Sequence, residues 1–247
     1  MAAAQQASTE RQAEIEANLA DVVSKVQRST RADSAHPSRL VAVSKYKTSS
    51  DILAAYERGH RHFGENYVQE LCDKAKELPS DICWHFIGRL QSNKCKALAA
   101  IPNLWAVETI DSEAKARKMN EAWGSAGHGH AHALNVFVQV NTSDEESKGG
   151  VEQAQVEGAA RAIATECTHL CLLGLMTIGS IEGSHQRPNP DFVRLHQVRD
   201  DLESALGLGR LELSMGMSDD YEHALELGAT NVRVGSRIFG TRAPKCQ

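Results

Sequence analysis

The chain has 247 residues, 41% hydrophobic and 24% charged, with 18 glycines, 6 prolines and a formal net charge of −5. That length suits one large α/β domain able to bury a core without disulfides or metals. Acidic and basic residues are interspersed with no basic block, which argues against a nucleic-acid partner, and no stretch approaches the ~20 apolar residues that span a bilayer.

The N-terminal segment carries Glu10, Glu14 and Glu16 and lacks an uninterrupted apolar core. It reads neither as a signal nor as a transit peptide. Cys72, Cys83, Cys95, Cys167, Cys171 and Cys246 include no C-x-x-C pair and read as free thiols of a reducing compartment. The expected location is cytoplasmic, with a mitochondrial fraction left open.

Over residues 8–28, Ala13, Ile15, Leu19, Val22, Val23 and Val26 recur at three- and four-residue spacings and predict a helix. After Pro37, RLVAVSK (39–45) predicts a strand, and a helix follows with Ser49 or Ser50 as its cap and Asp51 in its first turn. Further short apolar runs occur at 62–66, 84–90, 104–110, 133–141, 170–179, 210–217 and 231–240. Helical patterns lie between them, for example Val68 to Leu78, Ser112 to Trp123, Val151 to Glu166, Asp191 to Leu206 and Asp219 to Leu227. Strands alternating with helices imply parallel βαβ units. Eight of them in this length predict a (β/α)8 TIM barrel with an additional N-terminal helix. The expected organisation is a single domain over 1–247, with the helix at about 8–28 and the barrel at about 39–240. A doubly wound open sheet is the alternative, weakened because no G-x-G-x-x-G follows the first strand.

Chemistry in such barrels sits at the C-terminal ends of the strands. Those ends are Lys45, Asn66, Arg89 or Gln91, Asn141, Ser180, Met217 with Ser218, and Gly235 with Ser236. Lys45 shares a strand face with Val41 and Val43, where partial desolvation favours the neutral amine that forms Schiff bases. An arbitrary lysine at a strand end would snorkel to solvent instead. Lys47 competes for the same role but falls in the loop. Barrels often hold phosphate with the loops after strands 7 and 8, here SMGMSDD (214–220) and VRVGSRIFG (232–240). Ser218 is either a plain helix cap or an anion contact. Gly235 either packs against a neighbour or lets the backbone approach a phosphate, with the Ser236 hydroxyl beside it.

Arg233 alternates with Val232 and Val234 and, if inward-facing, needs an acceptor. Glu212 is one choice and a pyridine nitrogen the other. A Schiff-base lysine, a phosphate cradle and a group aimed at a ring nitrogen together describe a pyridoxal 5′-phosphate (PLP) site.

At VAVSK (41–45), FGENYVQE (63–70), WHFIGRLQSNK (84–94), VNTSDEESKGG (140–150), GLMTIG (174–179), NPDF (189–192), ELSMGMSDD (212–220) and VRVGSRIFG (232–240) the sequence resembles the pyridoxal phosphate homeostasis protein family, which is similar to alanine racemase N-terminal domains. The resemblance covers almost the whole chain. It implies a monomeric PLP-bound barrel that balances cellular vitamin B6 and hands PLP to apoenzymes without a dedicated reaction. It also implies a covalent aldimine on Lys45, phosphate contacts from Ser218, Gly235 and Ser236, and Arg233 at the pyridine nitrogen. Asn66, His85, Met176 and Met217 become pocket-wall positions. Tyr46 and Thr48 depart from the threonine and proline of many relatives.

The alternative is a PLP-dependent amino-acid racemase. It is disfavoured because an arginine does not readily donate a proton to the ring. The second acid–base tyrosine of fold-type relatives also comes from a C-terminal β-domain, for which the seven residues after the last apolar run leave no room. An aldolase-like Schiff-base barrel is a remoter reading, since such lysines usually lie on later strands. His128, His130 and His132 have the composition of a weak metal loop, but a polar loop explains them as well and no metal is assigned. Asp144 to Ser147 read as a solvated loop, and Trp84, Trp105 and Trp123 as packing.

Overall fold

The computed structural model describes residues 6–29, 37–127, 132–145 and 148–241. Helix α1 (Thr9–Ser29) precedes eight strand–helix repeats. β1 (Arg39–Val43) is followed by α2 (Ser49–Glu57), β2 (His62–Glu65) by α3 (Val68–Glu77), and β3 (Cys83–Phe86) by a 3-10 turn and α4 (Cys95–Ala99). β4 (Leu104–Ile110) leads into α5 (Glu113–Ser125), β5 (Leu134–Gln139) into α6 (Gln153–Glu166), and β6 (Leu170–Met176) into α7 (Ile181–Ser184) and α8 (Pro190–Leu206). β7 (Glu212–Ser214), α9 (Tyr221–Glu226), β8 (Asn231–Val234) and α10 (Ser236–Phe239) complete the series. Each strand pairs in parallel with the next, and β8 returns to β1 with Arg39 opposite Asn231 and Val41 opposite Arg233. The sheet therefore closes, and the expected (β/α)8 barrel with an added N-terminal helix is the fold.

Local chemistry explains most boundaries. α8 begins where the Asn189 side chain accepts the Asp191 N–H at 2.9 Å, with Pro190 in the first turn, and ends at Gly207 in the left-handed region. α2 is capped by Thr48, whose hydroxyl accepts the Asp51 N–H at 3.2 Å. Ser49 and Ser50, the expected caps, are instead its first two helical residues. The run 231–240 is strand only to Val234, because the chain turns at Gly235 into α10. Val151 bridges to Val140 and leaves α6 to begin at Gln153.

Two apolar clusters divide the interior. The larger lies between the barrel wall and the helices and takes outward strand residues such as Leu40, Ala42 and Phe63. The smaller, Ala106, Phe137 and Met176, plugs the barrel itself. Gly64 also faces inward, since a Cβ there would lie 2.9 Å from Val41 Cγ1 and 3.2 Å from Ile87 Cδ1. The four- and three-residue spacing of Ile15, Leu19, Val22 and Val26 buries one face of α1, and α1 packs against α2, α9 and α10. Replacing a residue such as Leu19 by alanine would cost about 2–5 kcal/mol. Among the described residues no helix is long and apolar enough to cross a membrane. His128, His130, Glu146, Ser147 and Cys246 fall outside the described residues. The His132 carbonyl accepts the Trp123 indole N–H at 3.1 Å.

Candidate functional site

A cavity of about 280 Å³ opens at the C-terminal ends of the strands. Strand alternation carries the inward face of β1 from Val41 through Val43 to Lys45, and Val43 and Lys45 both line the cavity. The chain then turns sharply, with Tyr46 at φ 62° and the Lys47 N–H donating to the Ser44 carbonyl at 3.0 Å. Lys47 does lie in this turn, as expected, yet it lines the cavity as well. Its Nζ donates to the Thr241 carbonyl at 3.2 Å, and burial, aided by nearby Arg11, lowers its pKa.

β2 delivers Asn66, whose Oδ1 is buried with no hydrogen-bond partner among the described residues. Its position depends on Gly88, where a Cβ would stand 1.9 Å from the Asn66 carbonyl oxygen, so only glycine lets the two segments approach. Met176 and Ile178 form an apolar wall at the end of β6.

The loops after β7 and β8, next to the end of β1 in the closed barrel, add Met217, Ser218, Gly235 and Ser236 to the lining. Ser218 does not cap a helix. Its hydroxyl accepts the Gly235 N–H at 3.1 Å and so joins the two loops, while α9 begins three residues later at Tyr221. The Met217 N–H donates to Asp220 Oδ1 at 2.7 Å, and burial raises the Asp220 pKa. Gly216 reaches φ +92°, and a Cβ on it would meet Ala224 Cβ at 2.5 Å. Ser236 and Arg237 open α10, where backbone N–H groups have no helical carbonyl to bond.

Arg233 reaches the cavity from inside the barrel wall. Its Nη1 donates to Ser214 Oγ at 2.6 Å and its Nη2 to the Thr177 carbonyl at 2.8 Å. Glu212, the protein partner expected from sequence, is occupied by Arg39, at 2.6 and 3.1 Å. Ser214 Oγ donates in turn to Glu108 Oε2 at 2.6 Å, and Asn231 Nδ2 donates to both Glu108 oxygens at 3.2 Å. Burial lowers the pKa of Arg233 and is opposed by Glu108 and Asp220. Burial pushes Glu108 up, but the His85 hydrogen bond and the Arg233 charge outweigh it and hold the carboxyl below its usual range.

Of the residues assigned to the cofactor pocket, His85 is the one that the structure places elsewhere, and the strand-end candidates Arg89, Gln91, Asn141 and Ser180 do not line the cavity either. His85 is fully buried at the barrel waist and does not line the cavity; Ile87, two residues on, occupies that rim. Burial lowers the His85 pKa despite Glu108, and burial together with His85 lowers His62 to about 3. Both rings are therefore neutral at ordinary pH. His85 Nδ1–H donates to Glu108 Oε1 at 2.5 Å, leaving its Nε2 to accept from His62 Nδ1 at 2.9 Å. Glu108 and Ser214 were not legible as support for Arg233, although a carboxylate inside the apolar run LWAVETI signals a buried partner.

The family profile described as "Alanine racemase, N-terminal domain" matches residues 13–243. The closed parallel barrel agrees with that match. An alanine racemase from Corynebacterium glutamicum superposes with a TM-score of 0.69 at 16% identity, covering 94% of this chain and 63% of that one; at that identity the likeness shows the fold alone. PipY of Synechococcus elongatus, solved with PLP bound, is 31% identical with a TM-score of 0.77, covering 92% of this chain and 100% of PipY. A Schizosaccharomyces pombe protein named pyridoxal phosphate homeostasis protein is 50% identical over 204 residues, 82% of this chain and 84% of the relative. The chain belongs to the pyridoxal phosphate homeostasis protein family.

Proposed function

We propose that this protein binds PLP in the cavity at the C-terminal face, with Lys45 Nζ bonded to the cofactor's aldehyde carbon. It would act as an intracellular carrier that keeps PLP available to apoenzymes. The observation that carries this reading is the convergence of Lys45, Arg233 and the Ser218–Gly235–Ser236 loops on one small cavity. Ser218, Gly235 and Ser236 would hold the phosphate with hydroxyl and backbone N–H groups, and Arg233 would face the ring nitrogen. Asn66, with a buried carbonyl oxygen awaiting a donor, Met176 and Met217 would form the walls. These residues fit the group: a primary amine just past the end of β1, hydroxyls and amides in the neighbouring loops, and a volume close to the lower end for small-molecule pockets, about 300 Å³. The whole chain, 1–247, would work as one domain and as a monomer.

The bound cofactor supplies an electron sink for carbanions next to an amine. Arginine keeps its proton at ordinary pH, so Arg233 would face the ring nitrogen as a hydrogen-bond donor and would protonate it poorly. A two-base racemase needs a second acid–base group facing the lysine. The described lining residues offer only Lys47 for that role, with no tyrosine, histidine, cysteine or carboxylate. Carriage is therefore favoured over turnover.

The test is an absorption spectrum before and after addition of PLP, followed by borohydride reduction and peptide mapping. A visible band and a pyridoxyl adduct on Lys45 are expected. Protein that stays colourless with PLP would overturn the reading. Racemisation of free amino acids at ordinary enzyme rates would overturn the carrier role alone.

A further inference from the structure

Both chain neighbours of Lys45 are tied to one charge cluster on the outer side of the barrel wall. Alternation turns Ser44 and Glu65 away from the cavity that Lys45 and Asn66 line. Ser44 and Glu65 are fully buried beneath α3, whose Glu70 and Lys74 are four residues apart on one face. Lys74 Nζ donates to the Ser44 carbonyl at 2.9 Å, to Glu65 Oε1 at 2.7 Å and to Glu70 Oε1 at 2.7 Å. Those bonds use all three protons of an ammonium. Ser44 Oγ donates to Glu65 Oε1 at 2.6 Å, and the Tyr46 N–H donates to Glu70 Oε1 at 2.7 Å.

The turn held in this way is a strained one. Tyr46 adopts a left-handed φ of 62°, which a residue with a Cβ keeps only where its surroundings impose it. The Tyr46 and Tyr67 rings, with centroids 5.0 Å apart and hydroxyls hydrogen-bonded, brace the same turn. An apolar patch of similar shape would avoid the desolvation cost of two carboxylates and an ammonium. What the charges add is direction, because each bond ends on a specified atom beside Lys45.

We propose that Glu65, Glu70 and Lys74 are positioning residues for Lys45. By fixing the backbone on both sides of it, they present Lys45, and not Lys47, to a carbonyl compound in the cavity. This rests on the cofactor reading above. Lys47 lines the same cavity two residues away, so a relaxed turn would leave the choice of amine poorly determined.

The experiment incubates wild type, Glu70→Ala, Glu70→Gln and Lys74→Met with limiting PLP, reduces with borohydride and quantifies adducts on Lys45 and Lys47 by mass spectrometry. Wild type should label at Lys45. Glu70→Ala and Lys74→Met should lose about tenfold in Lys45 labelling, the equivalent of one charge-assisted hydrogen bond, with label moving to Lys47. Glu70→Gln keeps an acceptor for the Tyr46 N–H and should retain most of the Lys45 labelling. A merely structural cluster would lower the melting temperature without changing the ratio of the two adducts. An unchanged ratio and unchanged labelling in Glu70→Ala and Lys74→Met overturns the proposal and leaves the cofactor reading intact. Wild type that takes no label overturns both. Glu70 is partly exposed, so Glu70→Ala carries the test if Lys74→Met does not fold.

Discussion

At the waist of the barrel, His62, His85, Glu108, Ser214 and Asn231 are bonded to one another, whereas at the mouth Asn66 Oδ1 is buried with no partner among the described residues. Arg233 belongs to both regions: its guanidinium is anchored in the waist network and also lines the cavity. Both regions are polar and inward-facing, so neither burial nor polarity separates a site from a scaffold. Between these two regions the difference is hydrogen-bonding capacity left unspent at Asn66. Glu65 Oε2 and Trp84 Nε1 are also buried without a partner among the described residues but do not line the cavity, so an unspent atom points to a site only where it faces open space. The waist spends its capacity internally and fixes the shape of the floor.

This contrast is easiest to break with substitutions that act on one region only. Lys45→Ala should abolish the borohydride-trapped adduct while shifting the melting temperature by only about 1–2 °C, as expected for a replacement that leaves the core intact. A large stability loss would mean that the mouth is also scaffold. Glu108→Ala should do the reverse, because it strips an acceptor from His85, Ser214 and Asn231 and leaves the Arg233 charge uncompensated. The expected cost is about 3–5 kcal/mol, or about 10 °C in a chain of this size, read by thermal unfolding of the apo protein. A shift of under about 2 °C would show that the waist does not depend on its carboxylate.

Ser218→Ala sharpens the picture at the mouth. Loss of one hydrogen bond, worth about 1 kcal/mol, should weaken PLP binding about fivefold in a fluorescence titration and leave pyridoxal, which has no phosphate, unaffected. Equal weakening of both ligands would remove the serine from the phosphate contact.

The smallest expected effect is on pH dependence. Burial raises the pKa of Glu65 to about 7, opposed by Lys74 and Ser44. The folded protein therefore holds this proton more tightly than the unfolded chain, whose carboxyl titrates near the model-peptide value of about 4.3. The associated stability is fully present below that value and is lost as pH rises through about 7. The melting temperature of wild type relative to Glu65→Gln should accordingly decline from pH 5 to pH 7.5. A flat difference would show that Glu65 titrates alike in the folded and unfolded states.

Much of this arrangement was legible in the sequence because strand alternation fixes which side chains share a face. It placed Lys45 on the face of Val43, put Arg233 on the face away from Val232 and Val234, and located the two loops that carry Ser218 and Ser236. Alternation says nothing about height along the barrel axis. That depends on the stagger between strands, set by non-local pairings such as Gly64 with His85. His85 and Ile87 share a face, and only the assembled barrel shows that Ile87 forms the rim while His85 lies below it. Partner choice failed for a similar reason. Glu212 lies close to Arg233 in sequence pattern, but register brings it to Arg39, and Arg233 reaches the carboxylate of Glu108 only through Ser214.

Barrel closure has a consequence for how the site comes into being. Lys45 follows the first strand and Ser236 the last, with about 190 residues between them, and Arg11 in α1 bonds both Asp51 and the Phe239 carbonyl. At synthesis rates of about 5–20 residues per second, the lysine leaves the ribosome roughly 10–40 s before the loop it faces. A nascent chain therefore cannot assemble the cavity piecemeal. The two ends meet only once Ser236 has been made, so any ligand gripped by both is acquired after that point in synthesis.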